Sequence, residues 1–260
     1  YLQARARLND NSAPMPARKV INDPWTEARV VQSLAGLLNP STAISEQYYE
    51  GVMYRALGFT WFMDQTVIKH TTGTFTAGTV NGGSQTTGPQ GGTITVNATT
   101  GTLKKGDIIT FSGVNSVNRT TKQSNGTLAQ FVVTADVAAA STSIPIYPGL
   151  VPSAGGNDVQ YQTVDVSPLN GATTALTTPA GGVYRKSIAY TQKAITMATA
   201  DLVMPKKAVE EAARAMYDGI SMRVLTDYLP FSDQLATRID VLFGFLYIRP
   251  EWCCVVCDKV

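Results

Sequence analysis

The feature that most constrains the fold is an abrupt change of composition at Thr72-Gly73. The residues that follow, 74–158, are mostly Thr, Gly, Asn and Val, with almost no good helix formers. β-Branched residues interrupted by polar, glycine-containing turns are typical of short strands. The sequence therefore predicts a β-rich unit with segments of a different kind on either side.

Four strands are predicted inside this unit, at residues 93–97, 108–114, 128–134 and 143–147. Short strands at regular spacing are typical of a small barrel or sandwich. We expect a turn at residues 124–127, between the second strand and the third. Alternation along the strands predicts the core residues Ile94, Val96, Ile109, Phe111, Leu128, Val132, Ile144 and Ile146.

The stretch from Gly78 to Gly92 precedes the first of these strands and has no apolar periodicity. Polar, glycine-rich segments of this kind usually run over the protein surface as connections. We therefore predict a projecting, mobile loop.

Helical patterns precede the β-rich unit, in residues 1–73. Asp23 can cap, and Pro24 can open, a helix that runs through Leu34 and stops near residue 39. A second helix is predicted to end near Gly58, because apolar residues before it lie four apart on one face. Those residues are Ile44, Tyr48 and Val52.

Mixed patterns follow the β-rich unit, in residues 159–260. Pro205 is expected to open an Ala-rich helix over residues 206–217 that ends at Asp218-Gly219, and residues 241–248 read as a strand. The sequence thus predicts an α+β domain, built from residues 1–73 and 159–260, that is interrupted by an inserted all-β domain, a small barrel or sandwich, at residues 74–158. The two ends of such an insertion should lie close together.

Residues that could carry out chemistry are few. Cys254 and Cys257 form a C-x-x-C pair, but a closed zinc site needs four ligands and the chain offers one further Cys and the single His70. We interpret the cysteines as small hydrophobes and His70 as a surface or capping residue. We expect no active site, no cofactor and no metal, so the chain is predicted not to be an enzyme.

The overall charge of the chain does not indicate any class of binding partner. The chain has 260 residues, with 21 basic and 19 acidic side chains and a formal charge of +2, which argues against an electrostatic surface for nucleic acid. The longest apolar run near the C-terminus, residues 241–248, is too short to cross a bilayer, so no membrane partner is expected. The first residues, YLQARARLND, read as the middle of a longer protein.

The stretch GTLKKGDIITFSGV, from Gly101 to Val114, raises the question of a phosphate-binding loop. Gly101 and Gly106 have the spacing of that motif, but Asp107 follows where a Lys-Ser or Lys-Thr pair is needed, and Asp107 would repel a phosphate. The residues after Asp107 are strand formers, whereas the motif needs a helix there. We therefore predict a turn that leads into a strand.

The same stretch carries a family resemblance. ATTGTLKKGDIITFSGVNSVNRTTKQSNGTLAQFVVTAD, then ADLVMP, YDGISMRVLTDY and RIDVLFGFLYIRPE, occur in the order found in tailed-phage major capsid proteins of the podovirus coat type. The resemblance covers most of the chain from about residue 17 onward. It implies the tailed-phage capsid fold with an inserted β-barrel. The N-terminal arm, extended loop and spine helix of that family would precede the region matched here.

The resemblance implies a structural function, in which copies of the chain assemble as hexamers and pentamers into the icosahedral shell of a virion. It further implies a scaffolding protein, a portal, non-specific contact with packaged DNA and assembly in the cytoplasm of a bacterial host. The loop residues Gln85, Thr86 and Gln90 lie where the family's insertion domain reaches a neighbouring subunit. They carry no charge that would form salt bridges.

An alternative is a β-rich carbohydrate- or surface-binding protein, which the Thr-, Gly- and Asn-rich strands also permit. Such a protein would need exposed aromatic platforms. The aromatic residues of the β-rich unit alternate like core residues instead, and they are Phe75, Phe111, Phe131 and Tyr147.

Overall fold

The computed structural model describes residues 1–34, 55–154, 156–205 and 211–260. Within those residues the chain is mostly β-sheet, with sixteen strands and two α-helices. It divides into two compact units, of which the first is Tyr1–Gln192 with Glu251–Val260 and the second is Lys193–Pro250. No helix in the described part is long and apolar enough to cross a membrane. The described chain is richer in strands than its sequence patterns predict.

The first sheet belongs to the first unit and contains six strands, numbered here along the chain. They are β1 Arg18–Asn22, β2 Arg55–Ala56, β3 Phe59–Met63, β4 Lys69–Thr71, β10 Val183–Thr191 and β16 Cys253–Lys259. Their order is β16-β10-β1-β3-β2, and β4 also pairs with β10. β1 and β3 are parallel, and the remaining pairs are antiparallel. Strand β10 makes the most pairings in this sheet, because it pairs with three other strands.

Two helices accompany this sheet, α1 at Leu2–Asp10 and α2 at Pro24–Leu34. The predicted start of α2 is confirmed, because the Asp23 carboxylate accepts a hydrogen bond from the Trp25 backbone N–H at 3.1 Å. That bond satisfies one of the free N–H groups of the first helical turn. The predicted end of this helix, and the body of the second helix, lie outside the described residues.

Gly58 does not end a helix, contrary to the sequence prediction. Arg55–Ala56 and Phe59–Met63 are paired strands, and Leu57 and Gly58 form the two-residue turn between them with φ of 54° and 83°. Two successive residues with positive φ give the twist that a tight hairpin requires. Turn chemistry and helix-end chemistry both favour glycine, so the residue type alone does not separate them.

The second sheet also belongs to the first unit and contains five antiparallel strands. They are β5 Gly92–Thr95, β6 Ile108–Val117, β7 Ser124–Val133, β8 Ser143–Tyr147 and β9 Thr174–Leu176, in the order β5-β8-β7-β6-β9. The four strands predicted from alternation are confirmed. The fifth, β9, lies beyond residue 158 and pairs with β6 from Ile109 to Phe111.

The second sheet has its own apolar core. Phe111 and Phe131 are buried at its centre, with ring centroids 5.4 Å apart. Six of the predicted core residues are buried there, namely Ile94, Val96, Ile109, Phe111, Ile144 and Ile146.

The predicted orientation of β7 is wrong. Leu128 and Val132 are 43% and 38% exposed, whereas Ala129, Phe131 and Val133 face the core. Side chains alternate between the two faces of a strand, so an error of one residue reverses every assignment. The predicted turn at residues 124–127 is wrong as well, because β7 begins at Ser124.

The stretch from Gly78 to Gly92 is tied to the second sheet at several points and does not project freely. Val80 is fully buried, and its backbone N–H donates to the carbonyl of Ala172. Further along, the Thr87 N–H donates to the carbonyl of Leu150 at 2.9 Å. Backbone hydrogen bonds thus anchor this stretch to the second sheet, although it lacks the apolar periodicity that would have signalled such contact.

The second unit contains five strands in two small sheets. They are β11 Ile195–Thr199, β12 Glu211–Tyr217, β13 Ile220–Leu229, β14 Gln234–Val241 and β15 Phe243–Tyr247. β12, β13 and β14 form an antiparallel meander, called here the three-stranded sheet, and β11 pairs with β15. The strand predicted at residues 241–248 is confirmed in β15.

The predicted Ala-rich helix at residues 206–217 is wrong over the part that the structure describes, because Glu211–Tyr217 is strand β12. Asp218 and Gly219, with φ of 48° and 76°, make the two-residue turn that joins β12 to β13. Asp-Gly is a strong hairpin signal, and pairing with β13 overrides the helix preference of alanine, because intrinsic propensity is weak compared with tertiary contacts. Residues 206–210 lie outside the described residues.

The position of Phe111 leads to a stability prediction. Replacing Phe111 by Ala removes a fully buried ring that packs on Phe131, and we expect it to lower the free energy of unfolding by about 3–5 kcal/mol. Denaturant unfolding followed by circular dichroism measures the change. Val132→Ala, on the outer face of β7, is the matched control and should shift the midpoint little. Equal midpoints for Phe111→Ala and the unmodified chain would contradict the observed core.

Candidate functional site

The cysteines do not form a reactive or metal-binding pair. Cys254 and Cys257 are free and lie three positions apart on β16, so their side chains point to opposite faces of the sheet. Burial raises the pKa of all three thiols, and it raises that of Cys253 to about 11. Among the described residues, no group of three or more His, Cys, Asp or Glu could hold a metal ion.

Asp107 has a buried carboxylate whose partners come from three separate parts of the first unit. Its carboxylate is fully buried, and one oxygen lies 2.7 Å from Nε2 of His70 on β4. The other oxygen accepts hydrogen bonds from the backbone N–H groups of Gly73 at 3.0 Å and Lys104 at 2.7 Å. His70 is 15% exposed and is therefore not the surface residue predicted from the sequence. A buried carboxylate requires such partners because its desolvation is otherwise costly.

A second bond joins the same turn to the first sheet. The ammonium of Lys186, on β10, donates to the carbonyl oxygen of Gly106 at 2.6 Å. Burial lowers the pKa of Lys186. Gly106 has a φ of +93°, and a Cβ there would lie 3.3 Å from the Lys186 nitrogen. Glycine is thus needed at this position, which the sequence suggested only as a turn.

The chain passes between the two sheets through two adjacent segments, residues 72–73 and residues 181–182. The Thr72 N–H donates to the Gly182 carbonyl at 2.9 Å, and the Gly181 N–H donates to the Gly73 carbonyl at 3.0 Å. A Cβ on Gly73 would lie 2.1 Å from the carbonyl oxygen of Thr102, so only glycine fits. We call this crossing, together with Asp107, His70 and Lys186, the sheet junction.

The far end of β6 is also held. Asn118 follows β6 directly, and its side-chain amide donates to the carbonyl of Asp10 at the end of α1, at 2.8 Å. The Ser12 hydroxyl donates to the Asn118 side-chain oxygen at 3.2 Å. Strand β6 is therefore attached to the elements of the first sheet at both of its ends. No sequence pattern signalled the role of Asn118 or Asp107, because their partners are distant in the chain.

The predicted interface residues differ in their availability. The Gln85 side chain is used within the chain: its amide nitrogen donates to the carbonyls of Asn81 and Thr95, and its oxygen accepts from the Thr95 N–H at 2.7 Å. Thr86 and Gln90 are exposed. The Gln85 side chain therefore holds the loop against β5, whereas the side chains of Thr86 and Gln90 lie on the surface.

An apolar face on the three-stranded sheet is a further candidate surface. Cross-strand pairs on one face join Tyr228 to Leu235 and Val224 to Ile239. Leu235 and Ile239 are 64% and 68% exposed. The opposite face is charged and includes the Arg223–Asp240 and Arg238–Asp240 ion pairs. Hydrogen bonds from Arg223 hold the pKa of Asp240 below its usual value.

The aromatic residues of the second sheet do not form a binding platform. Phe75, Phe111 and Phe131 are buried in its core, and Tyr147, at the end of β8, is partly buried. Sugar-binding surfaces expose such rings, so the carbohydrate-binding alternative lacks its main structural requirement in this sheet.

The sheet junction leads to a second stability prediction. Asp107→Ala leaves His70 and two backbone N–H groups without their acceptor, and we expect a loss of about 3–5 kcal/mol in the free energy of unfolding. Tryptophan fluorescence during denaturant unfolding measures this loss, because Trp61 and Trp252 pack in the core of the first sheet.

Asp136→Ala is the control for this experiment. Asp136 is an exposed neighbour that pairs with Lys104 and accepts the Lys105 N–H, and such solvent-exposed contacts contribute little to stability. If both variants unfold at the midpoint of the unmodified chain, Asp107 does not hold the two sheets together.

Comparison with known proteins identifies the family. The family described as P22 coat protein, gene protein 5, matches residues 3–256 of the 260 in the chain. Among solved structures, the CUS-3 coat protein I-domain is 29% identical and covers 38% of this chain and 94% of that domain, with a TM-score of 0.30. No curated protein matches the chain. Because the family match spans nearly the whole sequence, the chain belongs to the P22 coat protein family and is a structural subunit of a bacteriophage capsid.

Proposed function

We propose that the chain has the tailed-phage capsid fold, in which the second sheet is an inserted β-barrel domain and the first sheet and second unit belong to the α+β host. The paired strands β4 and β10 support this proposal, because the chain leaves the first sheet after Thr71 and returns at Val183. An insertion leaves its host continuous when its two ends are neighbours.

The limits of the insertion follow from the same contacts. The sequence suggested residues 74–158, but β9 pairs with β6, and Val164 is fully buried in the core of the second sheet. The hydrogen bonds between residues 72 and 182 and between residues 73 and 181 give neighbouring ends. We propose that the insertion runs from about residue 72 to residue 182, and that residues 159–182 belong to it.

Two fragments test these limits. Residues 72–182 contain all five strands of the second sheet, and we expect them to fold alone and unfold cooperatively. Residues 74–158 lack β9 and Val164, so they leave core side chains exposed and should be markedly less stable. Circular dichroism with denaturant measures both fragments. A shorter fragment as stable as the longer one would restore the limits read from the sequence.

The same proposal covers assembly. Copies of the chain would associate as hexamers and pentamers into a closed icosahedral shell, directed by a scaffolding protein and begun at a portal, in the cytoplasm of the bacterial host. Closed symmetry with repeated interfaces gives a defined end state. The near-balance of charge supports a shell that touches packaged DNA without binding it tightly. The chain would have no catalytic role.

The observation that carries the assembly proposal is the apolar face of the three-stranded sheet. Large apolar patches on a protein surface mark sites that other protein covers. Here the patch contains Leu235 and Ile239, each more than 60% exposed, while the opposite face of the same strands carries charges. We propose that this face is covered by protein when the subunit is built into the shell.

Substitutions on the two faces of β14 test the proposal. Leu235→Lys places a charge on the apolar face and should abolish shells, because covering that charge is costly. Gln234→Lys places the same charge on the opposite face and should leave assembly intact. The measurement is electron microscopy and sedimentation of the full gene product, expressed with its neighbouring phage genes.

Two results would count against this proposal. If the unmodified gene product stays monomeric while folded and supplied with its scaffold, the assembly proposal fails. If Leu235→Lys and Gln234→Lys form equal numbers of shells, the apolar face is not covered on assembly.

The loop residues remain a separate proposal. We propose that Thr86 and Gln90 contact a neighbouring subunit, because both are exposed at the edge of the second sheet. Gln85 would support that contact indirectly, since its side chain holds the loop against Thr95.

A further inference from the structure

The sequence contains three Asn-Gly pairs, at Asn81, Asn125 and Asn170. Asparagine before glycine can deamidate without an enzyme. The glycine backbone nitrogen attacks the side-chain carbonyl carbon of asparagine, a carbon–nitrogen bond forms, and ammonia leaves. Water then opens the resulting succinimide to aspartate or isoaspartate. Glycine favours the reaction because it has no side chain to block the approach.

Two of the three pairs are protected by hydrogen bonds to the attacking nitrogen. The Gly82 N–H, which follows Asn81, donates to the side-chain oxygen of Asn170 at 2.9 Å. The Gly171 N–H, which follows Asn170, donates to the carbonyl of Val80, also at 2.9 Å. Each of these nitrogens must give up a good hydrogen bond before it can turn toward the asparagine side chain.

The third pair has no comparable protection. The Gly126 N–H points at the Ser124 hydroxyl at 3.4 Å, which is long for a hydrogen bond, and Gly126 stands outside the paired register of β6 and β7. The side-chain nitrogen of Asn125 is buried and has no hydrogen-bond partner. The attacking nitrogen therefore has only a long hydrogen bond to give up, and the amide nitrogen of Asn125 has none to give up.

A bulge in β7 explains why this pair is unprotected. Val117 pairs with Ser124 and Asn115 pairs with Leu128, so three residues of β7 stand opposite one residue of β6. Two extra residues are thus accommodated within 125–127, which depart from the regular register of paired residues. All three glycines have positive φ, so the long hydrogen bond of the Gly126 N–H, and not its backbone conformation, distinguishes the Asn125 pair from the other two.

We propose that Asn125 is a modification site, at which the folded subunit deamidates faster than at Asn81 or Asn170. The product would carry a new carboxylate in the bulge, next to Ser124, whose hydroxyl donates to Asp165. A subunit of a capsid is not replaced after assembly, so the change would accumulate as the particle ages.

Peptide mass spectrometry tests the proposal on the full chain. The folded protein is incubated in mildly alkaline buffer, sampled over time and digested with chymotrypsin, and each Asn-Gly peptide is followed for conversion of amide to acid. We expect conversion at Asn125 to be about five- to tenfold faster than at Asn81 and Asn170, the factor that one intramolecular hydrogen bond contributes. In denaturant, the three rates should become similar.

Two variants separate protection from intrinsic reactivity. Asn170→Ala removes the acceptor of the Gly82 N–H and should speed conversion at Asn81, with the rate at Asn125 unchanged. Gly126→Ala should slow conversion at Asn125, with the rates at Asn81 and Asn170 unchanged. Equal rates at the three sites in the folded chain would overturn the proposal, and so would slower conversion at Asn125 than at either of the others.

Discussion

The fully buried carboxylate of Asp107 is the constraint on which the arrangement of the first unit depends. A charge of this kind is tolerated only when its oxygens find partners, and Asp107 finds them in His70, the Gly73 N–H and the Lys104 N–H. His70 lies on β4, Gly73 lies where the chain crosses between the sheets, and Lys104 lies in the turn before β6. The carboxylate is satisfied only when both sheets lie in their observed positions, so it couples their folding.

Glycine makes this close arrangement possible. At Gly73 the backbone approaches that of Thr102 so closely that any side chain would collide with it, and at Gly106 a positive φ turns a carbonyl toward Lys186. The Asn118 contacts at the other end of β6 are weaker, since they join neutral groups and are partly exposed. Charged contacts thus hold one end of β6, and neutral contacts hold the other.

In the second unit the charged groups around Asp240 are paired within the chain, whereas one apolar face is exposed. Its three-stranded sheet satisfies its backbone within the meander, and its charged face satisfies Asp240 with two arginines. In the described part of the chain, Leu235 and Ile239 on its apolar face stay largely exposed. That asymmetry fits a subunit whose role is association, because burial of apolar surface between chains is the main driving force for assembly.

The sequence by itself determined the four strands β5 to β8, the capped start of α2 and the family, because these depend on periodicity, local capping and motif order. Only the tertiary structure decided that residues 211–217 are a strand and that Phe131 and not Val132 faces inward. It also decided that the Gln85 side chain bonds within its own chain, to Thr95. The physical reason is the distance along the chain between the residues that interact. Alternation and capping are encoded by adjacent residues, whereas strand partners, register and the acceptors of buried polar groups are set by residues far apart in the chain.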